Sequence, residues 1–409
     1  MNSDLRNKIL ITLGLILFYR ILSYIPVPGI DISILNELIK DSATISMANM
    51  FNGNSISRFS IISLGIMPFI TASIIMELMS SSSEKIKILK KTQEGMYKYM
   101  QYIRYLTIFI TIIQSISITF MIKNTSNAIL IDFSLFLFMT TMALTTGTLI
   151  LMYIGEKITQ HGIGNGISLI IFASIISGLP RAIIGSINLF NDGAINLPVV
   201  LLALLLVVST IVFIIFIELA ERRIPLTYQR GKINSPTNFL PIKINIAGVI
   251  PPIFASAVLI LPQNVLAHSG IPFLMSIADF LSPGSLYYNL TLFFLVIFFA
   301  YFYTSITFNA KDISENLNNE GAFVNGVRAL EETTDYLNKR VDNLTFVGSI
   351  YLGIISIIPF LIIQKLGLPF YFGGPMVLII VQVALDTMKK VEANMIALRY
   401  NKQNNLETL

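Results

Sequence analysis

Residues 47–78 read MANMFNGNSISRFSIISLGIMPFITASIIMEL, and the fold follows from them. Phe59 to Met79 is apolar enough to lie in a membrane. The part before it is short, is broken by Gly53, and carries Asn49, Asn52, Asn54 and Arg58. A bilayer crossing needs about 20 predominantly apolar residues, and this first part falls well below that. Irregular backbone at membrane depth persists only where protein or a water-filled cavity surrounds it. The stretch therefore predicts a re-entrant segment folded into a channel, beside a helix that lines the same channel. Pro68 removes a backbone donor and predicts a kink in that helix.

The rest of the chain agrees. It has 409 residues, 54% of them hydrophobic and only 12% charged, with a mean hydropathy of +0.73. Soluble domains carry about 25% charged residues. With no cysteine and only His161 and His268, disulfides, thiolate chemistry and a Cys or His metal site are all disfavoured. The excess of Ile, Asn and Lys points to an AT-rich genome.

Ten spans are predicted at 9–26, 60–79, 104–122, 131–154, 163–183, 198–218, 246–266, 286–308, 344–363 and 368–387. The first is read as a retained helix, because Tyr24 to Gly29 reads as a turn and not as a cleavage site. The connecting segments alternate in charge. Residues 1–8, 80–104, 155–162, 218–246, 309–343 and 388–409 hold 22 Lys and Arg, and the opposite set holds five. Positive residues collect on the cytoplasmic side, so both termini are expected there. Arg20 is the only obvious mid-span charge.

Two of the cytoplasmic segments, 218–246 and 309–343, are longer than a connection requires. With Arg222, Arg223 and Arg230 in the first, they read either as topogenic charge or as a docking site for an acidic partner or ribosomal RNA. For the lysines near residue 87, topogenic charge is the better reading.

No catalytic constellation emerges. The glycines of GEKITQHGIGNGIS (155–168) follow a span, not a strand, and lack the Lys-Ser of a phosphate loop, so a tight turn is expected there. His161 reads as structural or exposed. Glu77, Glu156 and Asp386 lie near span ends, where snorkelling or solvation accounts for them. No Gly-x-Ser-Gly with a partnered histidine is present. A proton-coupled carrier needs titratable groups inside the membrane, and the spans supply almost none. A carrier of Na⁺ or neutral solutes built on inverted repeats remains open. A pore for unfolded chains would instead need an apolar, adjustable constriction.

The run MFNGNSISR followed by LGIMPFITASIIMEL resembles the plug and second helix of the SecY family of protein-conducting channels. The resemblance extends through PVPGI (26–30), GEKITQHGIGNGIS (155–168), ERRIPLTYQR (221–230), LPIKINIAGVIPPIFASAVL (240–259), GAFVNGVR (321–328) and FYFGGP (370–375). It implies an all-α polytopic membrane protein with ten transmembrane helices in two inverted five-helix halves, residues 1–187 and 188–409, and a re-entrant plug at about 47–58. It implies a plug containing Met50, Phe51, Asn52, Gly53, Asn54 and Arg58, and a pore ring of Ile66, Ile70, Ile171, Ile253 and Ile379. These side chains are β-branched and stiff, suited to a dry gasket. A lateral gate would lie between helices two and three and helices seven and eight.

By the same resemblance Arg222, Arg223, Arg230, Lys232 and Arg328 receive a ribosome or the SecA motor. SecE and a SecG-like subunit are implied partners, no cofactor is implied, and the substrates are signal sequences and unfolded polypeptides. The sequence departs from the family pattern at Asn325, Ala329 and Leu330, and is short between Tyr228 and Pro241. These departures bear on motor docking more than on the pore. With the composition, they fit a plastid-encoded protein of the thylakoid membrane or one from a reduced bacterial genome, the plastid being preferred.

Overall fold

The computed structural model describes residues 3–35, 49, 52–90, 92–125, 128–193, 196–228, 239–267, 272–282, 285–365 and 374–407. Its helices are α1 (Ser3–Leu22), α2 (Met67–Ser82), α3 (Glu84–Leu89), α4 (Gln93–Thr125), α5 (Phe133–His161), α6 (Gly166–Asn191) and α7 (Leu197–Leu219). Strands β1 (Glu221–Tyr228) and β2 (Phe239–Lys243) come next, followed by α8 (Ile250–Ala267), α9 (Pro272–Phe280), α10 (Leu286–Thr307) and α11 (Ala310–Asn319). The chain ends with β3 (Ala322–Val324), α12 (Glu331–Lys365) and α13 (Gly374–Glu407). Among the described residues ten helices have sixteen residues or more, and each overlaps one expected span. Six of them (α4, α5, α6, α7, α10 and α12) are long and apolar enough to cross a membrane by length and composition alone.

The second span corrects the reading of its own sequence. The apolar run starts near residue 60, but the helix starts only at Met67. Residues 60–66 form hydrogen-bonded turns, with Ser63 N donating to Ser60 O (2.9 Å) and Gly65 N to Ile62 O (2.8 Å). Gly65 has φ +59°, a conformation open to glycine. Pro68 consequently sits in the first turn of α2, with Ile66 as N-cap. There its missing N–H has no helical partner to lose, so it starts the helix and does not kink it. Elsewhere helices outrun their spans, α5 continuing to His161 and α12 beginning at Glu331. The turn between α5 and α6 shrinks to four residues, and Asn165 caps α6 by accepting from Ile167 N and Ser168 N.

The core has three parts. The largest cluster draws on nearly all the long helices, including Tyr19, Ile70, Leu151, Ile170, Phe254 and Leu378. Across the chain's midpoint, α2 packs on α8 and α6 on α13. A second cluster gathers Val27, Ile30, Phe59, Leu64, Phe136 and Leu144. It is pinned by backbone bonds from Val27 N to Phe59 O (2.8 Å) and from Leu130 N to Gly29 O (3.0 Å). The third lies in a lobe on the basic side. There β1 pairs antiparallel with both β2 and β3, giving the order β2-β1-β3. The all-α expectation is thus amended by one small sheet.

Helix α5 approaches the irregular 60–66 segment closely at Gly147. A Cβ there would lie 1.9 Å from the Ile61 carbonyl oxygen. The obstruction is backbone and cannot rotate away. Gly147→Val is expected to cost about 3 kcal/mol or more, seen as a lower melting temperature in detergent and earlier proteolysis. An unchanged melting temperature would contradict this packing.

Candidate functional site

The re-entrant segment is held by a polar network. Its short 3₁₀ turn, Ile56–Arg58, ends at Phe59, which takes φ 44°. This is a strained backbone for an aromatic residue. Phe59 is almost fully buried and stacks on Phe136 at 6.2 Å, and that packing holds the strained turn. Asn52 Nδ2 donates to Ser63 O (2.9 Å), Asn49 Nδ2 to Asn54 Oδ1 (3.2 Å), and Ser57 N to Asn49 Oδ1 (3.0 Å). The asparagines therefore satisfy backbone that cannot join a helix or a sheet. Met50 and Phe51 lie outside the described residues.

Arg20 and Arg58 converge on this segment. Arg20 Nη1 donates to Ser177 Oγ of α6 (2.8 Å) and to Gly53 O (3.4 Å). Arg58 donates to the same carbonyl through Nη2 (3.4 Å) and to Asn54 O through Nε (3.3 Å). The Tyr24 ring lies under Arg58, 4.0 Å from its guanidinium carbon, a cation–π contact. Gly53 has φ +64°, and a Cβ on it would lie 2.8 Å from Ser177 Oγ and 3.2 Å from Arg20 Nη1. Glycine is therefore required at this position twice over. Tyr19, one residue before Arg20, shares a hydrogen bond with Ser174 on α6 at 2.5 Å. Arg20 was visible in the sequence as an isolated charge, but its partners are 33 and 157 residues away. No spacing rule reaches them.

The five candidate ring isoleucines come from four helices. Ile66 caps α2 and Ile70 lies in its first turn, Ile171 lies in α6, Ile253 in α8 and Ile379 in α13. Four are buried members of the main cluster, and Ile253 packs half-buried against it. Ile62, Ile74 and Ile154 share the same cluster, so burial alone does not single out the five. A groove of about 520 Å³ lined by Phe280, Tyr287, Phe294 and Phe298 lies elsewhere, among strongly exposed side chains of α10.

Two of the expected snorkelling carboxylates are paired instead. Glu156 meets Arg104 on α4 at 2.6 Å, and Glu77 meets Lys90 at 2.9 Å and the Tyr99 hydroxyl at 3.2 Å. Holding the ends of α2, α4 and α5 in register is their evident role, since a partly buried charge is tolerable only with a partner. His161 is the exposed last residue of α5.

The two long segments, 218–246 and 309–343, form one body. Ile224, Leu226 and Ile242 of the sheet pack with Ala310 and Leu317 of α11 and with Leu337 and Val341 of α12. On this lobe Arg222 and Arg223 are exposed; Arg223 pairs with Glu221 at 2.9 Å and lies over Phe239. Arg328, with a side chain 88% exposed, meets Glu332 at 3.7 Å. Arg230 and Lys232 lie outside the described residues. The described part of the lobe (221–228, 239–243 and 309–343) carries seven basic and eight acidic side chains, so it is not a basic platform.

Among the described residues, ten long helices, a re-entrant segment bolted between α1 and α6, and a two-loop lobe on the basic side define a polytopic helical membrane protein. The chain belongs to the SecY family, whose signature matches residues 60–388. It is 49% identical over 412 aligned residues to the protein translocase subunit SecY of Helicobacter pylori, covering 98% of each chain. Its fold is similar to a solved protein-conducting channel, with a TM-score of 0.74 at 20% identity over 97% of this chain and 94% of the other. It is also similar to Sec61 in a canine ribosome–channel complex, with a TM-score of 0.71 at 20% identity and the same coverage.

Proposed function

We propose that this chain is the channel subunit of a Sec protein translocase. It passes unfolded polypeptides across the membrane and releases hydrophobic segments sideways into lipid. The observation that carries this reading is near-full-length relatedness to a translocase subunit, combined with a re-entrant segment locked inside the helix bundle by Arg20 and Arg58. Residues 1–187 and 188–409 would act as two halves meeting where α2 packs on α8 and α6 on α13. Residues 47–58 would be the plug, and Ile66, Ile70, Ile171, Ile253 and Ile379 the constriction. Gate opening would part α2 and α4 from α8 and α10. A secondary solute carrier is disfavoured, because the family relationship is to translocase subunits.

The partners in this reading are SecE, a SecG-like subunit, and SecA or a ribosome at the lobe. The balanced charge of the lobe favours a protein motor over ribosomal RNA, since phosphate contacts depend on an excess of Lys and Arg. The relative reported above is bacterial, which supports the bacterial plasma membrane over the plastid thylakoid that the motif departures and composition had favoured.

The test is a photoreactive residue at Ile70, challenged with a stalled secretory chain in purified membranes. A crosslink that appears only with the stalled chain, and shifts with its length, is expected. Crosslinks to lipid or a small solute alone would overturn both the conduit and the ring.

A further inference from the structure

Glu218 is an acid in the last turn of α7 with 5% of its surface exposed. Its partner is Asn245, also buried, whose Nδ2 donates to Glu218 Oε1 at 2.6 Å. Asn245 also closes a small loop, accepting from Gly248 N at its Oδ1 (3.0 Å) and donating to Gly248 O (3.3 Å). Glu218 and Asn245 flank the β1–β2 hairpin, and Ile244 N donates to Ala220 O between them (3.2 Å). The root of the docking lobe is therefore clamped shut.

The clamp abuts the pore helices. Gly248 has φ +68°, and a Cβ on it would lie 2.7 Å from Gln382 Nε2 of α13. Gln382 is one turn beyond Ile379, and Gly248 is five residues before Ile253 in α8. On α12, a Cβ on Gly348 would lie 2.8 Å from Ile244 O. The hairpin root thus touches three elements, two of which carry candidate ring residues. The other charged groups acting on Glu218 are Lys243 at the end of β2 and Asp386 and Lys389 on α13, all exposed.

We propose that Glu218 and Asn245 are positioning residues that couple displacement of the docking lobe to α8 and α13, and so to the constriction. The proposal rests on the reading of the lobe as the motor's docking site. A rigid hydrogen-bonded root transmits a push on the hairpin, and a loosened root dissipates it. Asn245→Asp puts two carboxylates side by side while leaving the acceptor for Gly248 N. Adding Glu218→Gln reverses the bond, an amide now donating to the aspartate.

The experiment uses the complete translocase in vesicles. It measures motor binding and ATP-driven export of a preprotein, with the fragment pattern under protease as a check on folding. Asn245→Asp is expected to bind motor within twofold of the parent while export slows about tenfold. The double variant Glu218→Gln with Asn245→Asp is expected to recover to within threefold. Export by Asn245→Asp at the parental rate would overturn the coupling, as would a folded double variant that stays as slow as the single one. Failure of the docking reading itself has a separate signature, in which Arg328→Glu leaves motor binding unaltered.

Discussion

Replacing Arg20 with alanine is expected to unseat the plug and leave a resting channel that leaks ions. The guanidinium joins three elements: its own helix α1, the Gly53 carbonyl of the proposed plug, and Ser177 of α6. Hydrogen bonds from charged donors contribute about 1.5–3 kcal/mol. The 3.4 Å contact is long, so about 2 kcal/mol is the reasonable total. At 1.4 kcal/mol per decade, that raises the unseated population roughly 30-fold. Single-channel recordings in planar bilayers should show resting conductance rising by about an order of magnitude. Deletion of residues 48–57 sets the ceiling, and Arg20→Lys, which keeps charge but loses the fork, should fall between. A stable Arg20→Ala protein as tight as the parent would remove Arg20 from the seal.

Arg328→Glu is expected to cut motor-driven translocation at least tenfold, with insertion and folding unaffected. The side chain is almost fully exposed, and among the described residues its ionic neighbour is Glu332, at 3.7 Å on the same surface turn. Reversal therefore disturbs little in the fold, because exposed pairs contribute only about 0–1 kcal/mol. A docked partner that presents a carboxylate to Arg328 would instead meet like charge, and hot-spot losses run to 2 kcal/mol or more. Preprotein transport into inverted vesicles gives the rate, and co-sedimentation with the motor gives the affinity. Normal transport by a well-expressed variant would take Arg328 out of the docking surface.

The helical count was readable because the spans are apolar runs set off by charge, as in Leu197 to Ile217 between Asp192 and Glu218. The start of α2 was not, since Ile61, Ile62 and Leu64 are as apolar as the helix that follows. Their turn geometry depends on Gly65 and on the approach of Gly147, 82 residues further on. The sheet does leave a signal in the sequence: Ile224 and Leu226 alternate with exposed Arg223, Pro225 and Thr227, the period of a half-buried strand. Arg222 and Arg223 make the same run read as a charged surface segment, which masks that period. For the site, Gly53 and the plug asparagines stood out by composition. The bonds of Arg20, Glu77, Glu156 and Glu218 cross between elements, and such contacts appear only once the chain is folded.

The pairing of β1 with β3 joins Leu226 to Val324, across nearly a hundred residues of chain. Between them lie α8, α9, α10 and α11. At synthesis rates of about 5–20 residues per second, β1 waits roughly 5–20 s for its partner strand. The lobe's core also needs Leu337 and Val341, so it closes later still. A half-made chain therefore lacks a finished lobe. Under the proposed docking role, recruitment of a partner is postponed, by topology alone, until most of the long helices have been made.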